Sequence, residues 1–375
     1  MSTTAEPAAR PGASPRAAQR VIDCDIHNYM PSDAVLLQYL DPAWHAHHRT
    51  FGPRTHQVAG FPGAPYPRSA GGGKRIDARP PSGLPVGADL DFFRAQHLDA
   101  LPIDYGIINC LSKVGENLHE EYDAALARAH NDWLAKEWLG RDDRLRGSLL
   151  VPYENGELSE REIERWAGHP SFVQVMLRPR TKDPLGRRKY WPMYAAAERH
   201  GLAIAVHFAG ISGNPITSSG WSSFYVEDHT TMAQSFQAHV ISLVAEGVFE
   251  RFPRLRMVLI EGGFAWLPPL MWRLDRLFHR LRAEVPHLRR KPSEVIREHI
   301  RLTTQPMEEP SRPRYLPQLL EHLGSEEMLM FATDYPHWDF DHPDRVLVAG
   351  VAPALRQKIM VGNARAFYGL APREG

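Results

Sequence analysis

The chain has 375 residues, of which 43% are hydrophobic and 23% are charged, and these are the proportions of an ordinary globular protein. Its 44 Lys and Arg residues balance its 44 Asp and Glu residues, so composition gives no electrostatic reason to bind nucleic acid or an anionic membrane. No stretch approaches the ~18 uninterrupted apolar residues of a membrane span, and two cysteines are too few for a disulfide framework.

The first 19 residues are rich in Ala, Pro, Ser, Thr and Arg. They lack the apolar stretch of ~7–15 residues that a secretory signal requires, so they predict a disordered tail. Cys24 and Cys110 both fall in apolar runs, where reduced, buried thiols are the expected state. These features indicate a cytoplasmic protein, with residues 20–375 forming a single domain.

Eight short apolar runs follow one another along the chain, and each is rich in β-branched or large apolar residues. Several are apolar at nearly every position, which is typical of parallel strands that are covered on both faces. The predicted strands are Val21–His27, Tyr105–Cys110, Leu145–Pro152, Phe172–Arg178, Leu202–Phe208, Met257–Gly262, Ile300–Gln305 and Met328–Asp334.

Stretches with apolar residues at helical spacing separate many of these runs. A repeated strand and helix predicts parallel βαβ units, and eight such strands fit a closed (β/α)8 TIM-like barrel better than an open sheet. The predicted helices are Glu120–Leu139, Tyr190–His200, Thr231–Phe249, Ala265–Arg282, Arg314–Leu323 and Pro343–Ala349.

One stretch rich in Pro and Gly, from about residue 45 to residue 88, breaks the alternation. It follows the first strand, so in a barrel it would lie over the mouth at the carboxyl ends of the strands. A long loop in a compact domain is usually functional or disordered. We therefore expect a capping insertion, or an arm that reaches a second subunit.

Metal-type ligands occur at the ends of the predicted strands, where barrel enzymes carry their reactive groups. Asp25 and His27 are two residues apart in the first strand, so their side chains face the same way. His207 closes the fifth strand and Asp334 the eighth. Each residue alone has a structural explanation, such as a buried hydrogen bond or a capped turn. Together they predict a divalent metal site, with zinc preferred and manganese or iron as alternatives.

Glu261 ends the sixth strand and precedes two glycines. A carboxylate at the end of an apolar strand is costly to bury unless it meets a cation or hydrogen-bond donors. Glu261 is therefore expected either to bind the metal or to act as an acid or base.

These motifs resemble the amidohydrolase superfamily, in particular the branch that contains aminocarboxymuconate-semialdehyde decarboxylase and related metal-dependent hydrolases. The resemblance implies a distorted barrel, a homodimer or higher homo-oligomer, metal ligation by His27, His207 and Asp334, and a second role for Asp334 as general base. The matching segments, in family order, are residues 23–27, 206–207, 247–253 leading to 261–263, 333–337 and 362–365.

The chain departs from the family pattern at two positions. Asp25 stands where the family often has His or Glu, and a carboxylate there remains a suitable ligand. Glu261 stands where many members have a catalytic histidine, and a glutamate cannot replace a neutral imidazole as an electrophile. The second departure leaves the reaction open.

The leading hypothesis is a metal-dependent hydrolase of a small organic molecule, in which Asp334 takes and returns a proton and Glu261 assists. The first alternative is a non-oxidative decarboxylase of an aromatic or unsaturated carboxylic acid. It needs a cation for the substrate carboxylate, and Arg178 at the end of the fourth strand is the candidate. His337 and Trp338 are also expected to contact the substrate. The second alternative is a barrel without catalysis that serves as a binding subunit.

Overall fold

The structure is a computed structural model that describes residues 20–53, 73–208, 215–347 and 350–373. The predicted N-terminal tail, and residues 54–72 of the predicted insertion, lie outside the described residues. None of the helices within these ranges has the length and apolar character that crossing a lipid bilayer demands.

Eight parallel strands form one sheet in which each strand pairs with the next along the chain. Backbone hydrogen bonds from Cys24 to Phe331 and from Asp334 to Asp25 connect the last strand to the first and bring the sheet close to full closure. This confirms the predicted (β/α)8 barrel. The strands are β1 (Val21–Ile26), β2 (Ile103–Ile108), β3 (Leu145–Leu150), β4 (Phe172–Leu177), β5 (Ala203–His207), β6 (Met257–Ile260), β7 (Ile300–Thr303) and β8 (Leu329–Met330).

Helices follow the strands and cover the outside of the barrel, and several are extended by single 3-10 or π turns. Their bounds are α1 (Asp33–Tyr39), α2 (His45–Phe51), α3 (Leu90–Phe93), α4 (Glu120–Leu134), α5 (Gly156–Arg165), α6 (Trp191–Arg199), α7 (Tyr225–Ala245), α8 (Val248–Arg251), α9 (Leu267–Arg280), α10 (Pro292–His299), α11 (Tyr315–Leu323), α12 (Pro353–Gln357) and α13 (Asn363–Tyr368).

The predicted helix Pro343–Ala349 is wrong where the structure describes it. Residues 343–347 form a turn, and residues 348–349 lie outside the described part of the chain. The next helix, α12, begins only at Pro353, after Gly350 with its φ of 76°. A left-handed glycine interrupts a helix, and proline is favoured in the first turn of one. Gly350 therefore prevents a continuous helix through this segment, and Pro353 begins α12.

Polar side chains fill the barrel interior below the mouth and hold one another by hydrogen bonds. Gln174 Nε2 donates to Ser148 Oγ over 2.8 Å and to Asn109 Oδ1 over 3.1 Å, and the hydroxyl of Tyr368 donates to Gln174 Oε1 over 2.8 Å. All four residues are buried. Because buried polar groups are stable only when paired, this network gives the residues at the mouth a rigid floor.

Candidate metal centre and active site

Asp25 and His27 project together from the end of β1, as their spacing predicts, and both are fully buried. His27 Nδ1 lies 2.7 Å from the carbonyl oxygen of Asn109, which accepts the ring N–H. His27 Nε2 is therefore left with its lone pair, and it faces Asp334 Oδ1 at 2.8 Å and Asp25 Oδ1 at 3.3 Å. A lone pair that faces carboxylate oxygens needs a proton or a cation between them.

His207, at the end of β5, completes the same arrangement from the opposite side of the mouth. Its Nε2 lies 3.0 Å and 3.2 Å from the two oxygens of Asp25, and 3.7 Å from Glu261 Oε2. The other ring nitrogen, Nδ1, is buried without a hydrogen-bond partner among the described residues. The ring centroids of His27 and His207 are 4.8 Å apart, so both imidazoles face one small space.

Glu261 and Asp334, which follow β6 and β8, have unusual backbone conformations. Glu261 has a φ of 58° and Asp334 a φ of 63°, both in the left-handed region that favours glycine. Such strain persists only where the surrounding structure imposes it, and it concentrates at functional sites. Asp334 also accepts a hydrogen bond from Gln305 Nε2 at 3.3 Å through Oδ2.

The convergence of these side chains meets the requirements of a divalent metal site. The candidate ligand atoms of Asp25, His27 and His207 lie within 4.8 Å of one another, and so do those of Asp25, Glu261 and Asp334. Carboxylate oxygens and neutral imidazole nitrogens suit manganese or zinc. All four residues proposed from the sequence as ligands are thus brought together, although they come from the ends of two strands, β1 and β5, and from the segment after a third, β8.

The electrostatics of the site also favour a cation. Burial raises the pKa of Asp334, and the charges of Glu261 and Asp25 raise it further. Burial likewise raises the pKa of Glu261, with Asp25 and Asp339 adding to the effect. Burial opposes the ionisation of Asp25, but the His207 and His27 rings outweigh it and lower the pKa of that carboxyl. Several carboxylates that repel one another in a dry site are stabilised when a divalent ion joins them.

His337 lies against this cluster on a loop after β8. Its Nδ1 is 2.6 Å from Asp334 Oδ1, its Nε2 is 3.1 Å from the hydroxyl of Tyr29, and its ring centroid is 4.5 Å from that of His27. Trp338 follows it but is 55% exposed, with Nε1 3.4 Å from the hydroxyl of Tyr225. His337 is therefore part of the buried site, while Trp338 lies at its rim.

Lys74 is a site residue that the sequence analysis missed. Residues 73–75 form backbone contacts with residues 336–338, including hydrogen bonds from Arg75 to Pro336 (2.9 Å) and from Trp338 to Gly73 (3.1 Å). The Lys74 ammonium donates to the hydroxyl of Tyr29 and lies 4.0 Å from the centroid of that ring. Burial lowers the pKa of Lys74 to about 8, although the charges of Asp334 and Glu261 oppose the shift.

Arg178 occupies the end of β4, as expected, but its guanidinium already has an anionic partner. Its Nη1 donates to Glu116 Oε1 over 2.9 Å, and both side chains are buried. The guanidinium of Arg178, which we expected to bind a substrate carboxylate, therefore already forms an ion pair within the protein.

Asn109, Gln305 and Asp339 are further residues that the sequence analysis did not single out. Asn109 Nδ2 donates to Asp25 Oδ1 over 2.8 Å, in addition to the backbone contact with His27. Gln305 Nε2 reaches Asp334 Oδ2 and Asp339 Oδ2. Asn109 and Gln305 follow β2 and β7, and a search for polar residues at every strand end would have found them.

The sequence matches the model of a family described as Amidohydrolase over residues 22–370. It is 28% identical over 305 residues to a gamma-resorcylate decarboxylase from Rhodococcus jostii, which covers 75% of this chain and 88% of that protein. It is 27% identical over 257 residues to a gamma-resorcylate decarboxylase from Polaromonas sp., covering 65% and 76%. A 5-carboxyvanillate decarboxylase from Novosphingobium aromaticivorans, complexed with manganese and 4-hydroxy-3-methoxy-5-nitrobenzoic acid, has the same fold. Its TM-score is 0.69 at 18% identity, covering 95% of this chain and 100% of that one.

Proposed function

The chain belongs to the amidohydrolase family, and from that premise we propose that it is a metal-dependent, non-oxidative decarboxylase of a hydroxylated aromatic carboxylic acid. The similar proteins named above are decarboxylases, so they favour the first alternative of the sequence analysis over the hydrolase that it put first. The chain is an enzyme of this family, which excludes the barrel without catalysis.

The observation that carries the proposal is the meeting of Asp25, His27, His207 and Asp334 around one space at the barrel mouth. We assign these four residues as the metal ligands. These residues would hold a divalent metal ion, which would supply a Lewis acid that polarises the substrate carboxylate. We propose manganese in place of zinc, because the related structure carries manganese and half of the ligand set is carboxylate.

Asp334 is proposed to deliver the proton that decarboxylation requires. When the bond between the ring carbon and the carboxylate breaks, carbon dioxide leaves and the electron pair stays on the ring carbon, which then takes a proton. Burial and the nearby charges of Glu261 and Asp25 raise the pKa of Asp334, which makes this carboxylate basic enough to take up a proton and then pass it to the ring carbon. The role of Glu261 in this step is electrostatic, since its carboxyl group contributes to raising the pKa of Asp334.

Lys74 is proposed to provide the positive charge that the sequence analysis sought in Arg178. Its ammonium is half-buried beside Tyr29, within the electrostatic reach of Asp334 and Glu261. A cation in such a site binds a carboxylate or a phenolate more strongly than it would in water. Arg178 is left as a supporting contact, since Glu116 already occupies part of its guanidinium.

The substrate ring is proposed to enter between the imidazole of His337 and the rim that contains Trp338. An aromatic side chain that is 55% exposed beside a buried polar site offers a stacking surface at low cost. The related structure binds a ring with its nitro group next to a hydroxyl, a geometry that mimics a carboxylate next to a hydroxyl. We therefore propose an ortho-hydroxylated benzoic acid as the substrate class.

The wider expectations of the sequence analysis remain proposals. We propose that residues 45–88 cap the mouth, which the contacts of residues 73–75 with residues 336–338 support. We also retain a homodimer or higher homo-oligomer in the cytoplasm, acting on a small molecule and on neither nucleic acid nor membrane.

The proposal is tested by incubating manganese-loaded protein with 2,6-dihydroxybenzoate and with 5-carboxyvanillate in deuterated water. The expected result is release of carbon dioxide and one deuterium at the carbon that carried the carboxylate. Metal-free protein is the matched control and should release none. Metal-loaded protein that hydrolyses ester or amide bonds while leaving a panel of ortho-hydroxybenzoates intact would overturn the proposal in favour of the hydrolase.

A further inference from the structure

Asp23 is a fully buried aspartate in β1 that the proposed reaction does not use. It lies on the same face of the strand as Asp25, because side chains two positions apart in a strand point the same way. A buried carboxyl group is costly unless hydrogen-bond donors or cations compensate it. The partners of Asp23 therefore indicate what the protein gains from an acidic residue at this position.

Four hydrogen bonds reach the two side-chain oxygens of Asp23. Oδ1 accepts from the backbone N–H of Asp25 over 3.2 Å and from that of Thr333 over 2.9 Å. Oδ2 accepts from the Thr333 hydroxyl over 2.6 Å and from His97 Nε2 over 2.9 Å. Thr333 and His97 are buried as well. One carboxylate thus connects β1, the segment after β8 and the turn after α3.

The same hydrogen bonds constrain the backbone on both sides of Asp334. Thr333, which precedes it, is bonded to Asp23 through both its N–H and its hydroxyl. Thr333 Oγ1 also accepts from the backbone N–H of Tyr335, which follows Asp334, over 3.2 Å. The ring of Tyr335 stacks on His97 with centroids 4.6 Å apart. Asp334 has a left-handed φ of 63°, and such a conformation persists only where its surroundings impose it.

Closure of the barrel alone does not account for this arrangement. A residue that served only to close the barrel could be apolar, without the cost of burying a carboxylate. The bonds to Asp23 act instead on the segment that holds Asp334. Backbone hydrogen bonds already join β1 to that part of the chain, and they run from Cys24 to Phe331, from His27 to Tyr335 and from Asp334 to Asp25.

We propose that Asp23 is a positioning residue, which sets the distance and orientation of Asp334 relative to Asp25. The inference rests on the proposed function, in which both of those carboxylates bind the metal and Asp334 also delivers a proton. Asp23 acts through them, since both of its own oxygens face protein donors. Residues that orient metal ligands typically contribute ~10–100-fold in affinity. A reacting group displaced by ~1 Å can lose about 10²-fold in rate.

The test is the substitution Asp23→Asn, read first on the metal. Asparagine keeps one acceptor oxygen, but its amide nitrogen cannot accept from the Thr333 hydroxyl or from His97. Calorimetric titration should show manganese bound ~10–100-fold more weakly. The electron paramagnetic resonance spectrum of the bound manganese should also change, because its ligands are no longer held in one geometry. At saturating manganese, kcat for 2,6-dihydroxybenzoate should fall about 10²-fold while KM changes by less than ~3-fold.

Asp104→Asn is the matched control. Asp104 is a buried aspartate at the start of β2, which is the opposite end of the barrel from the mouth, and it pairs with Arg365 at 2.9 Å. The substitution should lower the Tm but leave manganese affinity, the spectrum and kcat at their wild-type values. Losses in Asp104→Asn equal to those in Asp23→Asn would overturn the positioning role, because they would reflect a general loss of stability.

Thr333 provides a second test that does not depend on the folding of Asp23→Asn. Thr333→Val keeps the shape of the side chain but removes the hydroxyl that donates to Asp23, so it should also weaken manganese binding. Thr333→Ser retains a hydroxyl and should recover most of that loss. Wild-type affinity and spectrum in both Asp23→Asn and Thr333→Val would contradict the inference. Failure of the proposed function is separately visible as wild-type protein that binds manganese without decarboxylating, and the metal measurements then still decide whether Asp23 positions the ligands.

Discussion

His27 Nε2 lies 2.8 Å from Asp334 Oδ1, although 307 positions separate the two residues along the chain. The contact exists because the barrel brings its last strand next to its first, with the backbone N–H of Asp334 donating to the carbonyl of Asp25 over 3.0 Å. The same strand pairing that closes the barrel therefore brings these two candidate metal ligands together.

Replacing Asp334 by Asn should abolish turnover without unfolding the protein. The amide keeps the size of the side chain but cannot donate a carboxylic acid proton, so kcat should fall by at least ~10³-fold. Steady-state decarboxylation measures the loss, and far-ultraviolet circular dichroism checks the fold. A rate within tenfold of the wild type would remove Asp334 from the role of proton donor.

Lys74→Met should weaken substrate binding more than it slows the chemical step. Loss of a charge-assisted hydrogen bond costs about 1.5–3 kcal/mol, which corresponds to a KM at least ~10-fold higher. Because burial lowers the pKa of Lys74 to about 8, the ammonium loses its proton as pH rises through that value. The KM of the wild type should therefore increase when the pH exceeds this pKa. Lys74→Arg, which stays charged, should flatten this dependence, and the exposed Lys136→Met serves as control. An unchanged KM in Lys74→Met would mean that the substrate does not meet this residue.

Much of the site follows from the sequence because barrel strands place their reactive residues at one end. The apolar runs located seven of the eight strands to within two residues at each end, and the spacing of Asp25 and His27 put both on one face. β8 is shorter than its apolar run, because Phe331 bonds to the helical turn after α12 rather than to β7. The candidate ligands therefore meet at the barrel mouth even where the predicted strand boundary was wrong.

The remaining site residues could not be predicted because contacts between segments far apart in the sequence determine their positions. Lys74 is brought to the site by backbone contacts between its own segment and residues 336–338, more than 250 positions away. Arg178 was expected to be available, but its ion pair with Glu116 depends on a loop after β2. Helix α5 was missed because its sequence is dominated by charged residues, and it is held by an N-cap from Asn155.

Asn109→Ala should lower the affinity for the metal without removing any candidate ligand. Its side chain donates to Asp25 over 2.8 Å and anchors the polar floor through Ser148 and Gln174, so its loss lets the first carboxylate move. Residues that orient metal ligands typically contribute ~10–100-fold in affinity. Calorimetric titration with manganese measures the change. Asn155→Ala, which removes the N-cap of α5 and whose side chain contacts Glu120 and the first turn of that helix, is the matched substitution and should leave affinity unaltered.

Removing the metal should destabilise the fold reversibly. An ion that binds only the folded state at a hundred times its Kd adds about 2.7 kcal/mol to the free energy of unfolding. Thermal unfolding with manganese and then with excess chelator should therefore show a lower Tm in the second case, which manganese restores. If excess chelator added to manganese-saturated protein leaves the Tm unaltered, the ligand cluster binds no ion that stabilises the fold.

Glu261→Gln should stabilise the metal-free protein, and more so at higher pH. The folded-state pKa of Glu261 is raised above its ordinary value, so between the two values the folded protein binds more protons than the unfolded chain does, and stability falls as pH rises. Glutamine removes that penalty. The Tm of the variant should exceed that of the wild type at pH 8, and the difference should shrink towards pH 5.

The same substitution should act in the opposite direction once manganese is present. If Glu261 contributes to the metal site beside Asp25 and Asp334, glutamine weakens metal binding, so the variant should then unfold at a lower temperature than the wild type and bind less metal. Glu284→Gln, at an exposed position, should change neither curve. A variant that is more stable than the wild type both with and without manganese would show that Glu261 is a buried charge with no cation to compensate it.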